Sequence, residues 1–220
     1  MELLGTSGKV LPVEPFLERM KKSRQLSDPR SIGSAPFHLH ATLQERAGQH
    51  GTDDEIWESP ENWRREIHLG PITMMDSRNG EETSHKLTDT NRASPEITYL
   101  LDLLVAGHFP DRHYEVYEAD WGQSAVTFAG VDTVRVARGK VDEDNQPISG
   151  QAYRFDSLGL LRGDYEEPTT TTYSEFLLWN NKQVPRRLEV TANGTRKWLV
   201  LIDKLEPIPA GVPPEDSTAH

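Results

Sequence analysis

Tyr153-Arg-Phe-Asp-Ser-Leu-Gly-Leu-Leu-Arg162, Tyr173-Ser-Glu-Phe-Leu-Leu-Trp179, Gln183-Val-Pro-Arg-Arg-Leu-Glu-Val190 and Arg196-Lys-Trp-Leu-Val-Leu-Ile-Asp203 follow one another between Tyr153 and Ile208. Each run is rich in aromatic and aliphatic residues. The turn formers Leu158-Gly159, Asn180-Asn181 and Asn193-Gly194 stand within or between them. Short β-type runs punctuated in this way predict an antiparallel meander. Asn193-Gly194 is a strong hairpin signal, because a type I′ turn needs positive φ at both central residues. The meander reads as scaffolding for a surface or a cavity.

Working outward, the segment before the meander mixes both periodicities. Val13, Phe16, Leu17 and Met20 recur at helical spacing, with Lys21, Lys22 and Arg24 near the C-terminal end. This predicts a helix over 15–26, ended by Asp28-Pro29. Phe37, Leu39, Ala41 and Leu43 alternate with His38, His40, Thr42 and Gln44, the period of a half-buried strand. A polar loop is expected over 48–54, then strands over 55–58 and 63–69 around the turn Ser59-Pro60-Glu61-Asn62. A further strand over 72–77 is closed by Asn79-Gly80. Ser94 as N-cap and Pro95 at the first position open a second helix. Its stripe is Ile97, Leu100, Leu101, Leu104 and Val105, and Gly107 ends it. At least one strand falls within 126–141, with Val134 and Val136 on one face, and 142–150 is turn-rich. The expected organisation is a flexible segment 1–12, one domain over 13–206 and a Pro-rich flexible tail over 207–220.

Composition narrows the functional classes. The net charge of -11 disfavours a nucleic-acid binder, which needs a basic footprint, and disfavours electrostatic adhesion to anionic lipid. With no cysteine, disulfides, thiolate metal sites and Cys nucleophiles are excluded. No run of eighteen apolar residues is present, so no membrane-spanning helix is expected. Met1 to Gly8 has neither a basic n-region nor an apolar h-region and does not read as a signal peptide.

Motifs for catalysis are missing: the sequence has no G-x-S-x-G elbow, phosphate-binding glycine loop or H-E-x-x-H. His38 and His40, two apart on a strand, point to the same face, a spacing that holds a metal only if a third ligand joins them. Asp142-Glu143-Asp144-Asn145 opens like a calcium loop, but Pro147 stands where glycine is needed, so it reads as an exposed turn. Asn193-Gly194-Thr195 matches a glycosylation acceptor, and the hairpin turn explains it better. No catalytic residue, metal or cofactor is assigned.

The order of these elements is familiar. An N-terminal helix leads into Ala35-Pro-Phe-His-Leu-His-Ala41. Asp54-Glu-Ile-Trp-Glu-Ser-Pro-Glu-Asn-Trp-Arg-Arg-Glu66 follows, then a central helix. Tyr153-Arg-Phe-Asp156 with Gly159-Leu-Leu161, Tyr173-Ser-Glu-Phe176 and Val184-Pro-Arg-Arg-Leu188 close the pattern. This resembles the bacterial outer-membrane lipoprotein carrier superfamily (the LolA/LolB-like periplasmic lipid-binding fold) over roughly residues 13–208. The resemblance implies an α+β fold: a highly curved antiparallel β-sheet, an incomplete β-barrel, with helices covering the concave face. It also implies a non-enzymatic protein of the periplasm or cell envelope. Its ligand would be hydrophobic or lipidic, such as lipoprotein acyl chains, and its partner another envelope protein. Phe37, Leu39, Trp57, Trp63, Met74, Leu101, Leu104 and Phe128 are the expected lining. The alternatives are an interaction or sensor module whose cavity is filled by its own side chains, and, third, a metal-dependent enzyme using the histidines.

Overall fold

The computed structural model describes residues 11–12, 14–31, 33, 35–46, 48–88, 121–128, 131–138, 151–166 and 169–208. For 11–12, 14–15, 121–128, 131–132, 135–138, 151 and 166 it describes the backbone alone. Within these residues the chain forms one helix, α1 (Glu14–Ser27), and thirteen strands. The strands are β1 (Leu11–Pro12), β2 (Phe37–Glu45), β3 (His50–Ser59), β4 (Asn62–Leu69), β5 (Ile72–Asn79), β6 (Glu82–Leu87) and β7 (Trp121–Phe128). They continue with β8 (Val131–Arg138), β9 (Gln151–Phe155), β10 (Leu161–Glu166), β11 (Thr169–Trp179), β12 (Lys182–Ala192) and β13 (Thr195–Pro207). All thirteen belong to one sheet in the order β1-β7-β8-β9-β10-β11-β12-β13-β2-β3-β4-β5-β6, and every pairing is antiparallel. Among the described residues the sheet is open, since its end strands β1 and β6 do not pair with each other.

The expected antiparallel sheet is present among the described residues. Among the described residues a single helix accompanies thirteen strands, so the architecture is sheet-dominated. The helix expected from Ser94 lies outside the described residues, as do the loop 142–150 and residues 209–220.

Turn chemistry sets the hairpins of the meander. Asn180 and Asn181 have φ of 44° and 62°, and Asn193 and Gly194 have 51° and 69°. Both two-residue loops thus carry the paired positive φ that matches strand twist. At the β5–β6 hairpin the loop is Gly80-Glu81, one residue later than the sequence suggested, because Asn79 pairs with Glu82 as part of the ladder. Register shifts at Trp57/Ser59, Leu161/Gly163, Val190/Thr191 and Ile202/Lys204 interrupt the ladders and add local twist and bend.

The seam of the sheet is β13 against β2, where the last strand joins the first long one from Trp198↔Glu45 to Pro207↔Phe37. In β2 the alternation is as expected. Phe37, Leu39, Ala41 and Leu43 are buried, and His38, His40 and Thr42 are less so. The expected loop 48–54 is a correction: β3 begins at His50. Its first half has loop composition but is held between β2 and β4. At Gly51 a Cβ would stand 2.1 Å from the His68 carbonyl oxygen, so only glycine admits this close strand approach.

α1 lies on the face to which Phe37 and Leu39 point, here called the inner face. The Phe16 and Tyr153 rings meet at a tilt of 45° with centroids 4.8 Å apart, and the Arg19 guanidinium sits 5.6 Å from the centre of the Phe155 ring. The Leu161 N–H donates to Ser23 Oγ at 2.8 Å, and Lys182 Nζ donates to the Gln25 carbonyl at 3.0 Å. The helix thus crosses β9 to β12, burying Phe16 and Met20. Full burial of such side chains contributes about 1.5–3 kcal/mol each.

Candidate functional site

Strand register decides which side chains stand together. Directly opposed residues in an antiparallel pair share a face. Across β2 to β5, one inner-face row reads Phe37, Trp57, Trp63 and Arg78. The adjacent row reads Leu39, Glu55, Arg65 and Asp76, and continues to His85 on β6. A third row is Ala41, Asp53, Ile67, Met74 and Leu87. An aromatic row therefore runs beside a charged one. Phe37 and Trp57 stack with centroids 5.6 Å apart and planes 13° from parallel. Arg78 turns toward the hairpin end, where its Nε donates to the Gly80 carbonyl at 3.0 Å.

The charged row is buried at its centre. Arg65 donates to Asp53 through Nε at 3.0 Å and through Nη2 at 3.3 Å, and its Nη2 is also 3.3 Å from Glu55 Oε2. All three side chains are nearly inaccessible to solvent. The network continues to the end of α1. Arg30 lies 3.9 Å from Glu55 and 3.2 Å from Asp28, and Arg24 is 3.1 Å from Asp28. The helix C-terminus is thus tied to β3 through alternating charges. On β5 and β6, Asp76 accepts from His85 Nδ1.

Asp28 is fully buried, and burial alone would push its carboxyl up. The Arg30 guanidinium, the Arg30 backbone N–H at 2.8 Å and the Arg24 guanidinium outweigh this and hold it below its ordinary value of 3.8. A depressed folded-state value means that the ionised group stabilises the fold above about pH 4. That contribution fades as the pH falls through the lowered value. Asp28→Asn is expected to lose about 2 kcal/mol at pH 7 and to flatten the decline of stability below pH 4. Urea unfolding at pH 7 and at pH 3 measures both, and an unchanged acid limb would remove Asp28 from the clamp.

Between the end of α1 and the β3–β6 wing lies a cleft of about 620 Å³. Arg24 and Arg30 form its helix side. Glu55, Trp57, Trp63 and Arg65 form its floor, and Pro60, Asp76, Ser77 and Thr83 to His85 complete the sheet side. Flat apolar rings and ionic groups thus share one space. Such a mixture binds a molecule with an apolar body and a polar head.

No family model and no curated protein matches the sequence. The likenesses are of fold. The chain is similar to a LolA superfamily protein from Nitrosomonas europaea, with 8 % identity over 89 % of this chain and 94 % of that one and a TM-score of 0.46. It is also similar to a DUF1329 family protein from Desulfovibrio piger, with 8 % identity over 92 % and 95 % and a TM-score of 0.49. The resemblance read from the sequence anticipated the first of these.

The residues named from the sequence fall into three groups. Trp57 and Trp63 line the cleft. Phe37, Leu39 and Met74 are buried in the continuous core behind it. Leu101 and Leu104 lie outside the described residues, and of Phe128 only the backbone is described, paired with Val131 in β7. Sequence reasoning missed Arg24, Arg30, Glu55, Arg65, Asp76 and His85. The available signal was a charge at an inward position of an otherwise apolar alternation, as in Trp63-Arg64-Arg65-Glu66-Ile67.

The two histidines share the outer face, as their spacing required. His40 Nδ1 lies 2.8 Å from Asp54 Oδ1, and His38 Nε2 lies 3.6 Å from the same atom. Among the described residues, no group of three His, Asp or Glu side chains is arranged to hold a metal ion. Also among them, no helix is long and apolar enough to cross a membrane.

Proposed function

We propose that this is a non-enzymatic binding protein of the bacterial cell envelope that takes a lipid or other amphipathic molecule against the inner face of its sheet. The cleft carries the reading. It sets two indoles beside an ionic row in a space of about 620 Å³, within the size of small-molecule sites. An acyl chain lies against Trp57 and Trp63, and its head meets the charged row. Acyl chains of lipoproteins are one source of such a ligand, and an envelope partner would deliver or receive it. The envelope placement rests on the sequence resemblance to lipoprotein carriers, and cell fractionation tests it.

A neutral apolar fluorophore, N-phenyl-1-naphthylamine, tests the cleft without favouring a head-group charge. Saturable one-to-one binding is expected, weakened at least tenfold in Trp63→Ala. Native mass spectrometry with lipid extraction tests for a co-purifying ligand. No saturable binding by folded protein, together with no extracted lipid, would overturn the reading. A second reading, an interaction or sensor module with a self-filled interior, draws support from the burial of Phe37, Leu39 and Met74. It expects those negative results.

A further inference from the structure

We infer that the cleft selects amphiphiles with a cationic, ammonium-type head, seated between Trp63 and Asp76. This deepens the proposed function and rests on it. The argument starts from the charge balance around the cleft. Arg24 and Arg30 are paired with Asp28, Arg30 also with Glu55, and Arg65 with Asp53 and Glu55. Among the described residues these three arginines meet Asp28, Asp53 and Glu55, which sit behind or beside them. Asp76 stands beyond this balance. Its side chain is only 13 % exposed, and among the described residues its partner is the exposed His85 rather than an arginine or lysine.

The neighbours of Asp76 suit a cation. Register places Trp63 opposite Arg78 and Arg65 opposite Asp76, so Trp63 and Asp76 are diagonal neighbours on one face of adjacent strands. Diagonal pairs lie within reach of an aromatic side chain. The two cations that register brings nearest are both directed elsewhere. Arg65 leans to β3, where it meets Asp53 and Glu55, and Arg78 leans to the Gly80 carbonyl. An indole face with a carboxylate beside it, in a cleft, is the chemistry that recognises a quaternary ammonium group. Trp57, backed by Phe37, adds a second indole to the same floor. A carboxylate or sulfate head would meet Asp76 as a like charge.

Displacement of N-phenyl-1-naphthylamine by three amphiphiles of equal chain length, each below its micelle concentration, tests this. The probes are decyltrimethylammonium, decanoate and decyl maltoside, added to the wild type, Asp76→Asn and Trp63→Phe. In the wild type the ammonium probe is expected to compete at least tenfold better than decanoate. Asp76→Asn, which keeps shape and a hydrogen-bonding group, should weaken the ammonium probe about tenfold and leave decyl maltoside within twofold. Trp63→Phe should weaken the ammonium probe by a smaller factor. Equal competition by all three probes, or an ammonium affinity unchanged in Asp76→Asn, would overturn the cation inference and leave the amphiphile cleft standing. Failure of the fluorophore itself to bind would instead remove the cleft reading on which it rests.

Discussion

Arg65→Met is expected to destabilise the protein by about 3–5 kcal/mol, the range for breaking a buried ion pair by removing one partner. Methionine keeps most of the volume and supplies no charge. Asp53 and Glu55, neighbouring inward positions of β3, would then stand side by side with their shared cation gone. Both are buried, at 0 % and 4 % exposure, so the charges left behind are poorly solvated. Surface pairs such as Lys21–Glu18, exposed on both sides, should by contrast contribute under about 1 kcal/mol.

A triple replacement separates charge from packing. Asp53→Leu, Glu55→Leu and Arg65→Met together remove the whole network and leave apolar groups in its place. Such replacements are often neutral or stabilising. The triple variant should therefore recover most of what Arg65→Met loses, apart from the Arg30 contact to Glu55. Urea denaturation of the wild type and both variants measures this. A triple variant as unstable as Arg65→Met would show that the loss comes from shape and not from the stranded carboxylates.

This network also marks where the sequence could be read and where it could not. The hairpins of the meander were legible because their signals are local. Asn180-Asn181 and Asn193-Gly194 supply positive φ, and the flanking runs have a period of two. β2 was legible for the same reason. The first half of β3 was not. Gly51-Thr52-Asp53-Asp54 has the composition of a loop, and what makes it a strand lies elsewhere in the chain. β2 and β4 pair with both of its edges, and Arg65 draws Asp53 inward. Trp57 and Trp63 could be picked out because they flank a turn. Arg24 and Arg30 could not, since they meet the sheet only through the docking of α1 and the loop after it. The cleft is a tertiary product: Arg65 shows in the strand alternation only as a charge at an inward position, and periodicity says nothing of the helix side.

Phe37 and Trp63 carry the sharpest test of how the inner face divides between core and ligand. Both were expected to line a cavity, and the structure separates them. Phe37 is fully buried at the seam, opposite Trp57 on β3 and Pro207 on β13. Phe37→Ala removes a ring from a packed site that its neighbours cannot easily fill, so a loss of about 3–5 kcal/mol is expected. Trp63 is half-buried and faces the cleft, so Trp63→Ala should cost about 1–2 kcal/mol while abolishing most fluorophore binding. Stability and binding should thus rank the two variants in opposite order. Measured by urea denaturation and N-phenyl-1-naphthylamine titration on folded protein, a Phe37→Ala variant that keeps its stability but loses the fluorophore would place Phe37 in the ligand space. The wall between core and cleft would then lie one strand further toward the seam, with the indole of Trp57 inside the binding site rather than at its floor.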